Sequence, residues 1–337
     1  MSATLSSVAA YAGVSTSTAS RALSGHPAVL PSTRARVEAA AAALQYQPNR
    51  MASALRTRRS GLIGLVVNNL RNATFHTIAE TLQNWGAGQG YQVLVCTTGG
   101  DPAREAAFLH TARTHHFDGL VVAGSGANTD LVNALVTDGR AVVTMNREVP
   151  GSLAPSVMSD YRTSARLATE HLLALGHERI GVVEGRADVT SGRLSDAGFR
   201  DAMRAAGVPV SPQLVACGPF VVDFGQQAAA ALLRLPEPPT ALLVTNHEAS
   251  LGVLQVIAAT KVPVPERLSV VCTEDEPAWA WWTPQITTVD NRADLLAERA
   301  AAVLLAQLVG AESAYPVSRE ELVEPVLVER ASTAPPA

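Results

Sequence analysis

The side chains with the most legible chemistry lie in Thr4–Ser24, TLSSVAAYAGVSTSTASRALS. Thr16, Ser17, Ser20 and Arg21 combine short hydrogen-bonding groups with one guanidinium, a set suited to base edges and phosphates. Before them, Leu5, Val8, Ala9 and Ala12 recur at helical spacing until Gly13-Val14-Ser15 breaks the pattern. Ser15 can then accept from the unpaired N–H groups of a new helix running through Ala19, Arg21, Ala22 and Leu23. Two short amphipathic helices joined by a three-residue turn containing Gly make a helix-turn-helix. A helical hairpin from an unrelated bundle is the alternative reading of the same residues.

Charge favours the first reading. Residues 1–60 contain seven Arg, no Lys and a single acid, Glu38, so this segment carries +6. The whole chain carries −4, which leaves −10 for the remainder. A basic head on an acidic body is the footprint of a polyanion-binding module attached to a different domain. Ser32 is expected to cap a third helix from Thr33 to about Leu44, completing a small head with a thin core. Beyond Tyr46-Gln47-Pro48, residues 49–56 read as a short helix and Thr57–Gly61 as a linker. Leu55 stands there as an apolar residue between Arg50 and Arg56, which is what a minor-groove wedge needs. A basic linker is the competing reading.

From Leu62 the pattern becomes strand, helix, strand. Apolar runs such as Leu62–Val67, Gly119–Ala123, Ala141–Met145, Arg179–Glu184, Ala241–Thr245 and Ser269–Cys272 alternate with helical segments. These include Phe75–Gly88, Pro102–His115, Tyr161–Leu175, Leu194–Ala206 and Ala249–Ala259. Such alternation implies parallel sheets with right-handed crossovers. There are too many units for one open sheet, so two α/β lobes facing each other are expected, with a small-molecule cleft at the carboxyl ends of their strands.

Other chemistries find little support. There is no P-loop and no G-x-S-x-G elbow, and adjacent His115 and His116 diverge by about 100° on a helix. Gly124-Ser125-Gly126 reads as an ordinary βα turn. Cys96, Cys217 and Cys272 form no C-x-x-C pair and read as small buried residues. Catalytic residues, metals and cofactors are therefore not expected. With 47% hydrophobic residues the chain can bury a large core, yet no apolar run approaches about 18 residues. No basic segment followed by an apolar one opens the chain, so a cytoplasmic protein is expected.

With head, hinge and two-lobed core in place, the chain resembles the lactose/galactose repressor (LacI/GalR) family of transcription regulators. The resemblance rests on Val8-Ala9-x-Tyr11-Ala12-Gly13-Val14-Ser15 with Thr18-x-Ser20-Arg21, and on Tyr46-x-Pro48-Asn49 with Leu55. It continues through Asp118-Gly119-Leu120, His171-Leu172-x-x-Leu175-Gly176-His177-x-x-Ile180, Pro284-x-Ile286-Thr287-Thr288-Val289 and Leu327-Val328-x-Arg330-x-Ser332-Thr333.

The resemblance implies a helix-turn-helix domain over 1–48, a hinge over 49–60 and a core of the type I periplasmic-binding-protein kind over 61–337. The N-lobe would comprise about 61–160 plus 290–321, and the C-lobe about 161–289 plus 322–337. It implies a homodimer reading a palindromic double-stranded DNA operator, most often as a repressor, under control of a sugar-like or related effector. In the major groove Thr16, Ser17 and Arg21 would meet bases, with Arg21 bidentate to a guanine. Ser15, Thr18, Ser20 and Asn49 would position phosphates. Hinge residues Ala52, Leu55 and Arg56 would enter the minor groove. A periplasmic-type binding protein without gene regulation is the alternative, but it would have no use for a DNA-reading head.

For the effector, the family pattern points to Asn69, Phe75 and Asn146 from one lobe and Asn246, Glu274 and Asp275 from the other. The sequence departs from that pattern where Ser195 replaces the Arg that commonly holds a sugar hydroxyl or carboxylate. Arg193 and Ser195 mark that region, although Arg193 lies about 200° round the helix from Ser195. The change leaves an uncharged or cationic effector open. Trp279, Trp281 and Trp282 follow closely, as candidates either for ligand stacking or for packing, while Trp85 reads as packing or dimer contact. A tail without a leucine heptad gives no sign of a tetramerising coiled coil.

Overall fold

A computed structural model describes residues 3–46, 59–310 and 320–337. Its contacts separate Met1–Ser60 from Gly61–Ala337, and each unit has its own core.

In the head, α1 (Leu5–Tyr11), α2 (Thr16–Leu23) and α3 (Pro31–Ala43) enclose Val8, Ala9, Ala12, Ala19, Ala22, Val37, Ala40 and Ala41. Thr4 opens α1 with a capping box, its hydroxyl accepting from the Ser7 N–H while Ser7 caps in return. Gly13, at φ +64, turns the chain between α1 and α2. Helix α3 begins two residues before the expected Thr33. Pro31 takes its first turn, where a missing N–H costs nothing, and Ser32 makes no cap.

The larger unit holds two six-stranded sheets. The first is built from β1 (Leu62–Val67), β2 (Gln92–Thr97), β3 (Gly119–Val122), β4 (Ala141–Met145), β5 (Ser156–Ser159) and a late strand, β11 (Glu320–Val323). Its order is β11-β5-β4-β3-β1-β2, with every pair parallel. Helices α4 (Ala73–Gly88), α5 (Pro102–Thr114) and α6 (Thr129–Thr137) connect its strands. The second sheet is built from β6 (Ile180–Gly185), β7 (Val215–Gly218), β8 (Ala241–Val244), β9 (Ser269–Thr273), β10 (Thr287–Asp290) and β12 (Val326–Val328). Its order is β12-β10-β9-β8-β6-β7, and only β12 runs antiparallel. Around it lie α7 (Tyr161–Ala174), α8 (Thr190–Ala205), α9 (Val222–Leu233), α10 (His247–Thr260) and the short α11 (Pro277–Trp281), whereas α12 (Ala293–Val309) returns to pack on α4 and β4.

The chain crosses between the lobes at 159–161, at 290–293 and between β11 and β12. These strands are tied together: Ser159 Oγ donates to the Asn291 carbonyl at 3.3 Å, and the Asp160 N–H donates to the Val323 carbonyl at 3.0 Å. Since β11 pairs with β5 as far as Val323↔Ser159, the last crossing falls two residues later than the expected 321/322 division.

Several expectations shift for identifiable reasons. Helix α8 starts at Thr190 rather than Leu194. Gly192 lets its first turn lie on the strand end, since a Cβ there would sit 2.4 Å from the Arg186 carbonyl oxygen. Cys217 is exposed because β7 is an edge strand, while Cys272 is buried and Cys96 half-buried. His116 contacts Arg140 through Nδ1 at 2.8 Å. Gly124-Ser125-Gly126 is a turn closed by buried Glu105, which accepts from the Ser125 N–H and the Asn128 side chain.

The closing segment is part of the second lobe. Ser332 Oγ donates to the Val270 carbonyl and accepts from the Thr287 N–H. His177 is buried between Thr240, Ser269 and the Ala334 carbonyl. Burial pushes its imidazole below the ordinary pKa despite that carbonyl.

Candidate functional site

On the head, Ser15 is the N-cap of α2, its hydroxyl accepting from the Thr18 N–H at 3.1 Å and meeting Ser17 Oγ and Thr18 Oγ1 at 2.9 Å each. Ser15, Thr16, Ser17 and Arg21 are exposed, while Thr18 and Ser20 are half-buried. The helix buries Ala19 and Ala22 on its opposite face. One face of α2 thus presents hydroxyls, a helix N-terminus and a guanidinium together, all suited to phosphates and base edges. Asn49, Ala52, Leu55 and Arg56 lie outside the described residues.

In the larger unit, loops at the carboxyl ends of both sheets line a cleft of about 260 Å³. This is the usual ligand position in α/β folds. The cleft brings together Asn69, Phe75, Asn146, Asn246 and Glu274 from the set expected on sequence. Asn69 shapes its loop by accepting from the Arg71 and Asn72 N–H groups. Asn246 caps α10 by accepting from the Ala249 N–H.

Strands β4 and β9 hold the same place in their two sheets. The residues that follow them, Asn146 (φ +54) and Glu274 (φ +71), both adopt left-handed backbone. For side chains other than Gly this conformation is strained, and it persists where the surroundings enforce it, often at ligand sites. At Glu274 the enforcement is visible. Its N–H donates to the Val289 carbonyl, and its carbonyl accepts from the buried indole N–H of Trp279 at 3.1 Å.

Three expected residues are placed elsewhere. Asp275 is held by Arg330, whose Nη1 and Nη2 donate to its two carboxylate oxygens at 2.7 and 2.9 Å. Arg193 points to Glu148 of the other lobe and pairs with its carboxylate. Ser195 is buried in α8, 3% exposed, and does not line the cleft. None of the clustered tryptophans lines it either. Trp279 is packed in the second lobe's core, Trp282 packs against that core and Trp281 is exposed. Trp85 packs on the first lobe's core and stacks on Tyr91.

Sequence reasoning missed Arg71, Asn72, Thr74, Arg147, Tyr161, Ser191, Phe220 and Glu248. Four sit in loops past strand ends and four in the first turns of the helices that follow, and that position was the available signal.

The two lobes touch across the cleft. Asn72 Nδ2 donates to Glu248 Oε2 at 3.4 Å, and the Glu148 N–H donates to Thr190 Oγ1 at 3.2 Å beside the Arg193–Glu148 ion pair. Because these side chains are 48% and 40% exposed, the pair is a weak clamp. A double-mutant cycle of Glu148→Gln and Arg193→Gln is expected to give a coupling of about 0.5 kcal/mol. It should vanish in roughly 1 M salt; coupling that persists there would mark a stronger contact.

Burial dominates the acids on the second lobe. It pushes Glu274 up to about 7, Glu248 adding to the effect while His247, Asn72 and Thr74 oppose it. Burial, with the nearby Asp196 carboxylate, pushes Glu184 up to about 8 against the pull of Arg200. His247 behaves oppositely: burial lowers it, but Glu276, with Glu274 and Glu248, outweighs that and raises it. A carboxyl raised in the folded state stabilises fully below its unfolded pKa, near 4.5, and loses that contribution as pH rises through the folded value. Thermal stability should therefore fall between about pH 4.5 and 8, and Glu184→Gln should flatten part of that slope. An unchanged slope in the variant would refute the assignment.

The fold and the two surfaces define a class: a helix-turn-helix DNA-binding head carried on the same chain as a two-lobed ligand-binding core. Residues 4–49 match the family described as bacterial regulatory proteins, lacI family, and residues 169–333 match the periplasmic binding protein-like domain. The chain is 30% identical over 331 residues to the HTH-type transcriptional repressor CytR of Escherichia coli (strain K12), spanning 98% of this chain and 96% of that one. It is 35% identical over 341 residues to an HTH-type transcriptional regulator in the aml 5' region of Streptomyces limosus, spanning 98% and 94%. A crystal structure of the lac repressor dimer bound to operator and the anti-inducer ONPF is similar with a TM-score of 0.86 at 28% identity, over 99% of this chain and all of that one. The chain belongs to the lacI family and is a DNA-binding transcriptional regulator, not an enzyme.

Proposed function

We infer that the protein is a repressor that binds a partly palindromic operator as a homodimer, with a small molecule in the inter-lobe cleft controlling that binding. The observation that carries this reading is one chain bearing both an exposed α2 face of Ser15, Thr16, Ser17 and Arg21 and a cleft at the strand ends of two lobes. Thr16, Ser17 and Arg21 read bases; Ser15, Thr18, Ser20 and Asn49 hold phosphates; Ala52, Leu55 and Arg56 act in the hinge. The likeness to a lac repressor dimer crystallised on its operator supports operator binding as a dimer. In this reading the protein works in the cytoplasm, where its DNA is.

Control follows from linkage: a ligand shifts the lobe equilibrium only by its differential affinity for the two closure states. Asn69, Phe75, Asn146, Asn246 and Glu274 are the effector contacts in this reading, and the effector is a sugar or a related metabolite. The test selects DNA from a random pool with the full chain, then measures binding to the selected site with metabolites added. Recovery of a palindrome whose affinity one metabolite changes supports the reading. Equal binding to all sequences overturns it.

A further inference from the structure

The cleft's second-lobe wall holds a carboxyl, Glu274, that Asn72 and Thr74 support and no cation among the described residues pairs. Glu248 and Glu274 line it, with Asp275 and Glu276 next in sequence to Glu274, and the partners of all four can be assigned in turn. Asp275 has Arg330, and Glu276 Oε1 lies 2.9 Å from His247 Nδ1. Glu248 stands in the first turn of α10, where the helix dipole favours an anion, and accepts from Asn72. Glu274 has no cation within pairing distance among the described residues, and its Oε2 is buried without a hydrogen-bond donor. A buried carboxylate in that condition is costly, and a ligand group is the natural completion.

The two cations lining the cleft do not play this part. Arg71 is exposed and Arg147 half-buried, so water already solvates them, and Arg193 is engaged by Glu148. The buried, unsatisfied charge is the negative one. Phe75, Tyr161 and Phe220 add aromatic surface, which favours rings and attracts cations. The volume of about 260 Å³ falls below the roughly 300–1,000 Å³ of drug-sized pockets, so the occupant is about one ring in size.

We propose that the cleft takes a small ring-bearing ligand with a protonated nitrogen, for which Glu274 is the counter-ion and Glu248 the second acidic neighbour. This rests on the reading of the cleft as the effector site and narrows its ligand to amine-bearing compounds. Binding a cation beside Glu274 draws its carboxyl to the ionised form and releases a proton near neutral pH.

The experiment uses the full chain and three probes with one shared ring: glucosamine, glucose and glucuronate, titrated by calorimetry at pH 7.5. Glucosamine is expected to bind roughly tenfold tighter than glucose, as a charge-assisted hydrogen bond implies, with glucuronate weaker still. Glu274→Gln should remove the preference, while Phe220→Ala should weaken all probes alike. The empty Glu274→Gln protein should also melt at a higher temperature than wild type at pH 8, since the variant removes an unpaired buried carboxylate. Equal or reversed ranking, a preference that survives Glu274→Gln, no binding by any probe, or a lower melting temperature of the variant would each overturn the proposal. If glucose or glucuronate binds best and alters DNA binding, the ligand class is wrong while the effector reading stands. If Phe220→Ala changes no ligand response on DNA, the effector reading itself fails.

Discussion

Replacing Arg21 with Ala is expected to weaken binding to the selected operator by about 1–3 kcal/mol, roughly 5- to 150-fold, and to flatten the preference at one base position. Arg21 is exposed on α2, in the last turn of a helix whose other face is fixed by Ala19 and Ala22 in the head's core. It can therefore be removed without disturbing packing, and a bidentate guanidinium on guanine is the strongest single reader available to such a helix. Competition between the operator and random DNA checks the assignment. Equal losses on both would make Arg21 a phosphate contact, and Thr16 and Ser17 would then carry the specificity.

The largest expected effect on stability comes from Arg330→Ala. Its guanidinium donates to both oxygens of Asp275, to the Ile286 carbonyl at 2.8 Å and to Thr288 Oγ1 at 3.0 Å, while Thr288 donates to Asp275. Breaking a buried pair by removing one partner costs about 3–5 kcal/mol. These side chains are 15% and 24% exposed, so a loss near the lower end, about 3 kcal/mol, is expected in denaturant unfolding of the core. Replacing both residues by apolar ones of similar volume should recover much of it, because no lone charge is left behind. A loss below about 1 kcal/mol for the single variant would class the pair with surface ion pairs.

Arg330 also shows that a motif can mark the family without marking the site. Leu327-Val328-x-Arg330-x-Ser332-Thr333 and the His171 and His177 segment fix the closing strand to the second sheet; they do not line the cleft. His171 Nε2 meets Thr333 Oγ1 at 2.9 Å, and His177 holds the Ala334 carbonyl. Asp275 belongs to the same lock, although it adjoins a cleft residue. The alternation of apolar runs with helices made both lobes legible, since buried parallel strands are continuous apolar runs.

Short strands with weak patterns were harder to see. β7 is an exposed edge with Cys217 on it, and β11 pairs with a strand more than 150 residues earlier, which no local pattern encodes. The cleft was legible where asparagines and Glu274 follow strong strands. It was not legible at Phe220 or Tyr161, whose place depends on packing: a Cβ on Gly185 would meet the Phe220 ring at 2.1 Å, so that glycine makes the room the ring needs. Arg193 was drawn away by Glu148 on the opposite lobe, a partner 45 residues distant in sequence.

In the proposed function one chain reads a DNA sequence with α2 and is governed from the cleft between its lobes. Fluorescence anisotropy of the full chain on its selected operator, with and without a saturating cleft ligand, tests this most directly. An allosteric coupling of about 1–3 kcal/mol, a 5- to 150-fold change in operator affinity, is expected. Phe220→Ala should raise the ligand concentration needed for this change while ligand-free operator binding is retained. Operator affinity that is unchanged by every ligand shown to occupy the cleft would rule that function out.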